Sequence, residues 1–250
     1  MGRRAVRLAR AQDARPVTPG PGTAALLLPD AGALADLATF VGRAKRVDPD
    51  GAARLVGHGD VLAVYVSPVN GGGGPTVLGL RTVALAAPSD LDVTVPLAAL
   101  TDRFARPSGP SSADPADLSG PVALAVPPAP ATGVAWAGIS PPRSGWEAVG
   151  LVEAEHLRRV AAAGIAEVSA GAPSGSGGQA VARLRAGVWG RPLVEGAAGA
   201  VAGVPAGVAY TAEALGFVDD AEPAALFVAG PWSRLTTSRG HVLARRPALV

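Results

Sequence analysis

Asp60-Val-Leu-Ala-Val-Tyr-Val-Ser-Pro-Val-Asn70-Gly-Gly-Gly-Gly-Pro75-Thr-Val-Leu-Gly-Leu-Arg-Thr-Val-Ala-Leu-Ala86 holds two β-branched apolar runs on either side of a glycine loop. Val61, Leu62, Val64, Tyr65 and Val66 predict a strand over Asp60–Pro68; Val77, Leu78, Leu80, Val83 and Leu85 predict a second over Thr76–Ala86. The glycines between them make a flexible hairpin connection. A phosphate-cradling P-loop needs a lysine after its last glycine, and the only lysine, Lys45, lies upstream. Asp90–Val95 alternates Leu91, Val93 and Val95 with Asp92 and Thr94, the pattern of a half-exposed strand. Short connections between such strands make the sheet antiparallel.

Working outward, Asp30 is placed to cap a helix running to Arg46, with Leu34, Leu37, Val41 and Ala44 on one face. Pro96 suits the first turn of a second helix, through Arg106, that buries Leu97, Leu100 and Phe104. Residues 23–106 are therefore expected to form an α+β lobe, an antiparallel sheet with two helices. Residues 1–22, basic and then rich in Pro and Gly, read as a disordered N-terminus. Residues 107–133 read as a Pro/Gly/Ser-rich linker in which Val122–Val126 is the one apolar run.

Residues 134–250 are expected to form a helical lobe ending in a β-hairpin. Glu153–Val168 carries Leu157, Val160 and Val168 on one side, and Gln179–Val188 and Pro205–Leu215 follow as helices. Gly171–Gly178 joins two helices, with Ser176 as N-cap, rather than following a strand as a dinucleotide loop would. Ala225–Val228 is a strand, and Ser233–Thr237 with His241–Arg245 is a hairpin turning at Ser238-Arg239-Gly240. Within it Leu235 is expected to face the core, with Trp232 and Arg234 on the other, outward face. No internal repeat is visible.

Composition narrows the chemistry. With no cysteine there is no disulfide scaffold, thiolate zinc site or cysteine nucleophile, and three histidines leave little room for a metal cage. Neither the Arg-rich start nor the uncharged runs Leu118–Pro142 and Gly196–Ala212 has the unbroken apolar length of a signal peptide or a membrane span. A cytoplasmic protein without a membrane partner is expected. The pI of 9.6 overstates a formal net charge of +2 because 21 of the 22 basic residues are arginine, which does not deprotonate in this range. Charge placement says more. From Pro192 to Ser233, after Arg191, only acids occur, and Arg234, Arg239, Arg245 and Arg246 then follow without one.

Catalytic constellations are poorly represented. His58-Gly-Asp60 reads as a tight turn before a strand, and no serine sits in a G-x-S-x-G elbow. Glu155 and His156 are adjacent, about 100° apart on a helix, and Glu153 pairs with neither at helical spacing. No catalytic residue, metal or cofactor is implied. Three of the four tryptophans, however, lie close to arginine: Arg143 with Trp146, Trp189 with Arg191, and Trp232 with Arg234. Guanidinium on indole shapes faces that take proteins or anions. Those six residues, with Arg239 and His241 of the hairpin, are the candidate binding set.

Trp136-Ala-Gly-Ile-Ser-Pro-Pro-Arg-Ser-Gly-Trp146 with Glu147, then Val188-Trp-Gly-Arg-Pro192, and Gly230-Pro-Trp-Ser-Arg-Leu-Thr-Thr-Ser-Arg-Gly-His-Val242 resemble an uncharacterised actinobacterial protein family, mainly across the second lobe. That resemblance implies a bacterial cytoplasmic setting and transfers no activity or residue role. The expectation is a non-enzymatic binding or regulatory protein whose partner is another protein or an anionic ligand. A DNA-binding protein with a degenerate winged-helix C-terminal lobe is the alternative, disfavoured because Pro205–Leu215 offers no Arg, Lys, Asn or Gln to read bases. An enzyme with a site between the lobes is the third.

Overall fold

Asp30 is extended, and its Oδ1 accepts the N–H of Ala33 at 2.7 Å, which starts α1 (Ala31–Val47). The helix buries Leu37, Phe40, Val41 and Ala44 and ends with Lys45 and Arg46 in its last turn, favourable to its dipole. The structure, a computed structural model, describes residues 24–71, 73–106, 120–172, 177–199, 201–219 and 221–245. The expectations for residues 1–22, for residues 107–119 of the expected linker, for Ser176 and for Arg246 lie outside them.

The protein is α+β. Its main sheet has eight antiparallel strands: β2 (Ala52–His58), β3 (Val61–Val69), β4 (Thr76–Ala84), β5 (Asp92–Pro96), β7 (Glu147–Val152), β8 (Ala224–Ala229), β9 (Trp232–Thr237) and β10 (Gly240–Arg245). The order across the sheet is β5-β2-β3-β4-β10-β9-β8-β7. The two chain halves thus meet at one ladder, β4 with β10, in which Gly79 faces Val242 and Leu78 faces Leu243. On either side of that seam each half contributes four strands: the meander β2-β3-β4 with β5 outside β2, and the meander β8-β9-β10 with β7 outside β8. β1 (Ala25–Leu28) and β6 (Val122–Ala125) pair as a separate ribbon, and the Val122–Val126 run supplies its second strand.

The five α-helices of the described residues lie on one face of the sheet or beyond it: α1, α2 (Leu97–Phe104), α3 (Ala154–Gly171), α4 (Gly178–Gly190) and α5 (Gly207–Ala214). α5 crosses the seam and packs on β3, β4 and β10. Gly79 permits this, because a side chain there would overlap the buried Leu215 that follows α5. The main core lies in this layer and includes Val64, Val77, Leu235 and Val242 from the strands.

The opposite face carries no α-helix, only the 3-10 turn Ala135–Gly138. Chain running from β6 to β7 crosses it instead and forms a second, smaller core in which Trp136 and Ile139 cover Leu78, Trp232 and Leu243. Arg54 pins this crossover. It forms a two-pronged pair with Asp92 (2.8 and 2.7 Å) and donates to the Ala137 carbonyl (2.7 Å) and Ser140 Oγ (3.0 Å). The hydrogen bonds from Arg54 hold the Asp92 carboxyl below its ordinary range.

Candidate binding face on the helix-free side of the sheet

Strand alternation decides which side chains reach the open face. On β9 they are Trp232, Arg234 and Thr236, while Leu235 faces the helices as expected. Across the ladders they meet Phe227 on β8, and Leu243 and His241 on β10, whose own neighbour is Leu80 on β4. Tyr65 and Ala63 continue the row on β3.

Arg234 is the centre of this face. Its guanidinium carbon lies 4.6 Å from the ring centroids of both Trp146 and Phe227. The Trp146 ring is itself tethered, its Nε1–H donating to the Pro142 carbonyl at 3.1 Å. Arg234 makes no hydrogen bond or ion pair to the described residues, and its Nε is shut from solvent without a partner. Burial pulls its pKa below the ordinary value, and no carboxylate among the described residues acts on it. The group stays charged, so it is a cation held between two rings without a carboxylate partner among the described residues.

His241 sits beside it. Its Nδ1 is 3.1 Å from Thr236 Oγ1, and burial, with the field of Arg234, holds its pKa below the ordinary 6.5. A histidine kept neutral by its fold stabilises fully above that value. The contribution is lost as pH falls below it, because the unfolded chain takes up the proton first. We expect the urea midpoint of the wild-type chain to decline between about pH 7 and about pH 5, and His241→Gln to flatten that decline. Equal slopes for both proteins would contradict this placement.

On β3, β4 and β8 the rest of the face is apolar or hydroxyl-bearing, while Arg54 and Asp92 at one side and Arg245 on β10 carry its other charges. Val61, 42 % exposed, and Leu151, 67 % exposed, mark its two ends, with Ala63, Leu80, Thr82 and Ala225 between them. Natural sheets that face water on one side alternate polar residues outward. Here the outward row of β3 is Val61, Ala63 and Tyr65.

The candidate residues separate into two groups. Trp146, Trp232, Arg234 and His241 share the helix-free face, with Arg143 exposed on the crossover and close enough to act on Tyr65. Trp232 does not stand outward to solvent as expected. It is 6 % exposed, because the crossover places Trp136 on that side of the sheet. Trp189 and Arg191 lie on the other side: Trp189 is buried in the main core, and Arg191 holds both oxygens of Glu167 at 2.5 and 2.7 Å. Arg239, at the hairpin turn, pairs with Asp219 at 2.9 Å. The acidic stretch thus neutralises part of the basic one. Phe227 and Tyr65 were not among the candidate site residues; both lay within expected strands, and only the β8–β9 register puts Phe227 under Arg234.

β9 and β10 are interior strands rather than a free wing, and Arg234 faces away from the layer where Arg185 of α4 donates to the Pro68 carbonyl at 3.4 Å. The basic residues of hairpin and helix do not form one surface. Among the described residues no three His, Asp or Glu side chains come together as metal ligands, and no helix is long and apolar enough to cross a membrane.

Fold and face together define an α+β protein of two sheet-forming halves with one helix-free side. Residues 22–138 match the family model described as Domain of unknown function (DUF8010), and residues 141–249 match that described as Domain of unknown function (DUF8185). The two matches part within the crossover between β6 and β7. No curated protein matches the chain.

Proposed function

We propose that this chain is a non-enzymatic binding protein that docks an acidic segment of a partner protein on the helix-free face, with Arg234 as the anchor. The observation that carries the reading is that Arg234, between Trp146 and Phe227, has no carboxylate partner among the described residues. Arginine and aromatic residues in a desolvated centre are what interface hot spots are made of. The apolar strip running to Leu151 and Val61 supplies contact area around it, and Thr236 and Thr82 supply hydroxyls.

A fluorescently labelled peptide alternating glutamate and valine tests this by anisotropy. Wild-type protein is expected to bind it in a salt-sensitive way, and Arg234→Gln to weaken binding by at least about tenfold, since unpairing a desolvated charge costs several kcal/mol. Melting should change little, because Arg234 has no polar partner to lose. Equal binding by the variant, or tighter binding of a DNA duplex that displaces the peptide, would overturn the proposal.

A further inference from the structure

We infer that the cleft between α3 and the chain from Val188 to Glu195 is a second site, for a small zwitterion with an apolar side chain, of the α-amino acid class. It lies on the helical side of the sheet, is independent of the face around Arg234, and stands or falls separately from it.

The cleft encloses about 430 Å³, within the size range of small-molecule sites, about 300–1,000 Å³. Its floor is apolar: Val160, Val188, Trp189 and Leu193, with Ala163 at the rim. Its shape is fixed from both sides. His156 bridges α3 to the far wall, Nε2 lying 2.9 Å from the Leu193 carbonyl, while Arg159 Nη2 lies 2.9 Å from His156 Nδ1. The carbonyl can only accept and the guanidinium can only donate, so in this arrangement Nε2 donates and Nδ1 accepts, and both ring nitrogens are taken up within the wall. The far wall is tied further by Leu193 N–H to the Val204 carbonyl at 2.7 Å and Ala206 N–H to the Arg191 carbonyl at 2.7 Å.

The mouth is bipolar. Glu167 takes up Arg191 with both oxygens, which cancels those two charges. What remains is one cation and one anion. Arg159 meets a carboxylate only at the 4.0 Å limit, from the exposed Glu155 on its own helix. Glu195 lies within the field of Arg191 and makes no ion pair with it. An apolar side chain on the floor, a carboxylate toward Arg159 and an ammonium toward Glu195 would satisfy each wall with the group it lacks. A plain hydrocarbon would leave both charges idle, and a simple acid would leave Glu195 unmatched.

Calorimetric titration of the full chain with L-leucine and L-phenylalanine tests this. Leucinamide, which lacks the carboxylate, and N-acetyl-leucine, which lacks the ammonium, serve as controls. At least one free amino acid is expected to bind, with each control weaker by about tenfold or more. Arg159→Gln should erase the preference over the amide, and Glu195→Gln the preference over the N-acetyl form. Ala163→Leu, at an exposed position on the cleft rim, should abolish binding without lowering the melting temperature. No heat from either amino acid up to about 10 mM, controls that bind as well as leucine, or undiminished binding by Ala163→Leu would each overturn the inference.

Discussion

Val242→Asp is expected to leave the chain without a cooperative native state at room temperature. Val242 is 1 % exposed and faces the helical layer at the seam, opposite Gly79 on β4 and Leu235 on β9. A carboxylate there has no partner. Arg81, two residues along β4 on the same face, is already held by Asp36 at 2.6 Å and by the Arg239 carbonyl. Burying an unpaired charge costs several kcal/mol after relaxation, and the lost valine burial adds about 1.5–3 kcal/mol. Against a total stability of about 5–15 kcal/mol for a domain, that is enough to unfold it. Thr82→Asp is the control. Thr82 sits on β4 too, but exposed on the helix-free face, where such a change should stay within about 0.5 kcal/mol. Circular dichroism melts of both variants decide it. A Val242→Asp protein that melts near the wild-type temperature would show that the seam is not part of one cooperative core.

The seam is also where the sequence was least informative. The strands around the glycine loop and the hairpin after Trp232 were legible because their β-branched residues alternate between strong turn signals. That these two segments pair with each other was not. Register between strands far apart in the chain depends on shape complementarity, here on Gly79 making room for Leu215, and no local pattern records it. β2 and β7 escaped for more specific reasons. Both faces of β2 are covered, so Arg54 interrupts an otherwise apolar run and alternation loses its meaning. β7 carries a register shift between Ala148 and Gly150, which breaks the period-two pattern within six residues.

The candidate site was legible by composition and misjudged by placement. Pairing tryptophan with arginine put Trp146 and Arg234 into the candidate set with other partners, whereas the stack they form joins residues 88 positions apart in the numbering. The contact formed is not between the residues adjacent in sequence. Trp232 and Arg234 share a face, yet Trp232 is enclosed by the crossover while Arg234 stacks on a ring from the start of β7. For Trp189 and Arg191 sequence proximity misled altogether, since the helix ends between them at Gly190 and sends the two side chains into different environments.

Trp189 is best tested together with the glycine beneath it. The indole is 2 % exposed, stacks on Tyr210 with centroids 4.4 Å apart, and lies against α3 where Gly164 has no side chain. Trp189→Ala is expected to cost about 3–5 kcal/mol, the range for removing a large aromatic from a packed core. Gly164→Ala should also destabilise, by about 1–3 kcal/mol, because its methyl group would occupy the space of the Trp189 ring. In the double variant the sign of the second change should reverse. With the ring gone the methyl group fills part of the cavity, and alanine is favoured over glycine within a helix by about 0.8–1.0 kcal/mol. Gly164→Ala in the Trp189→Ala background should therefore stabilise, giving a coupling of about 2 kcal/mol or more in a double-mutant cycle from urea denaturation. Additive effects would mean that the ring does not rest on the Gly164 backbone. The floor of the proposed amino-acid cleft would then be shaped by something other than this contact.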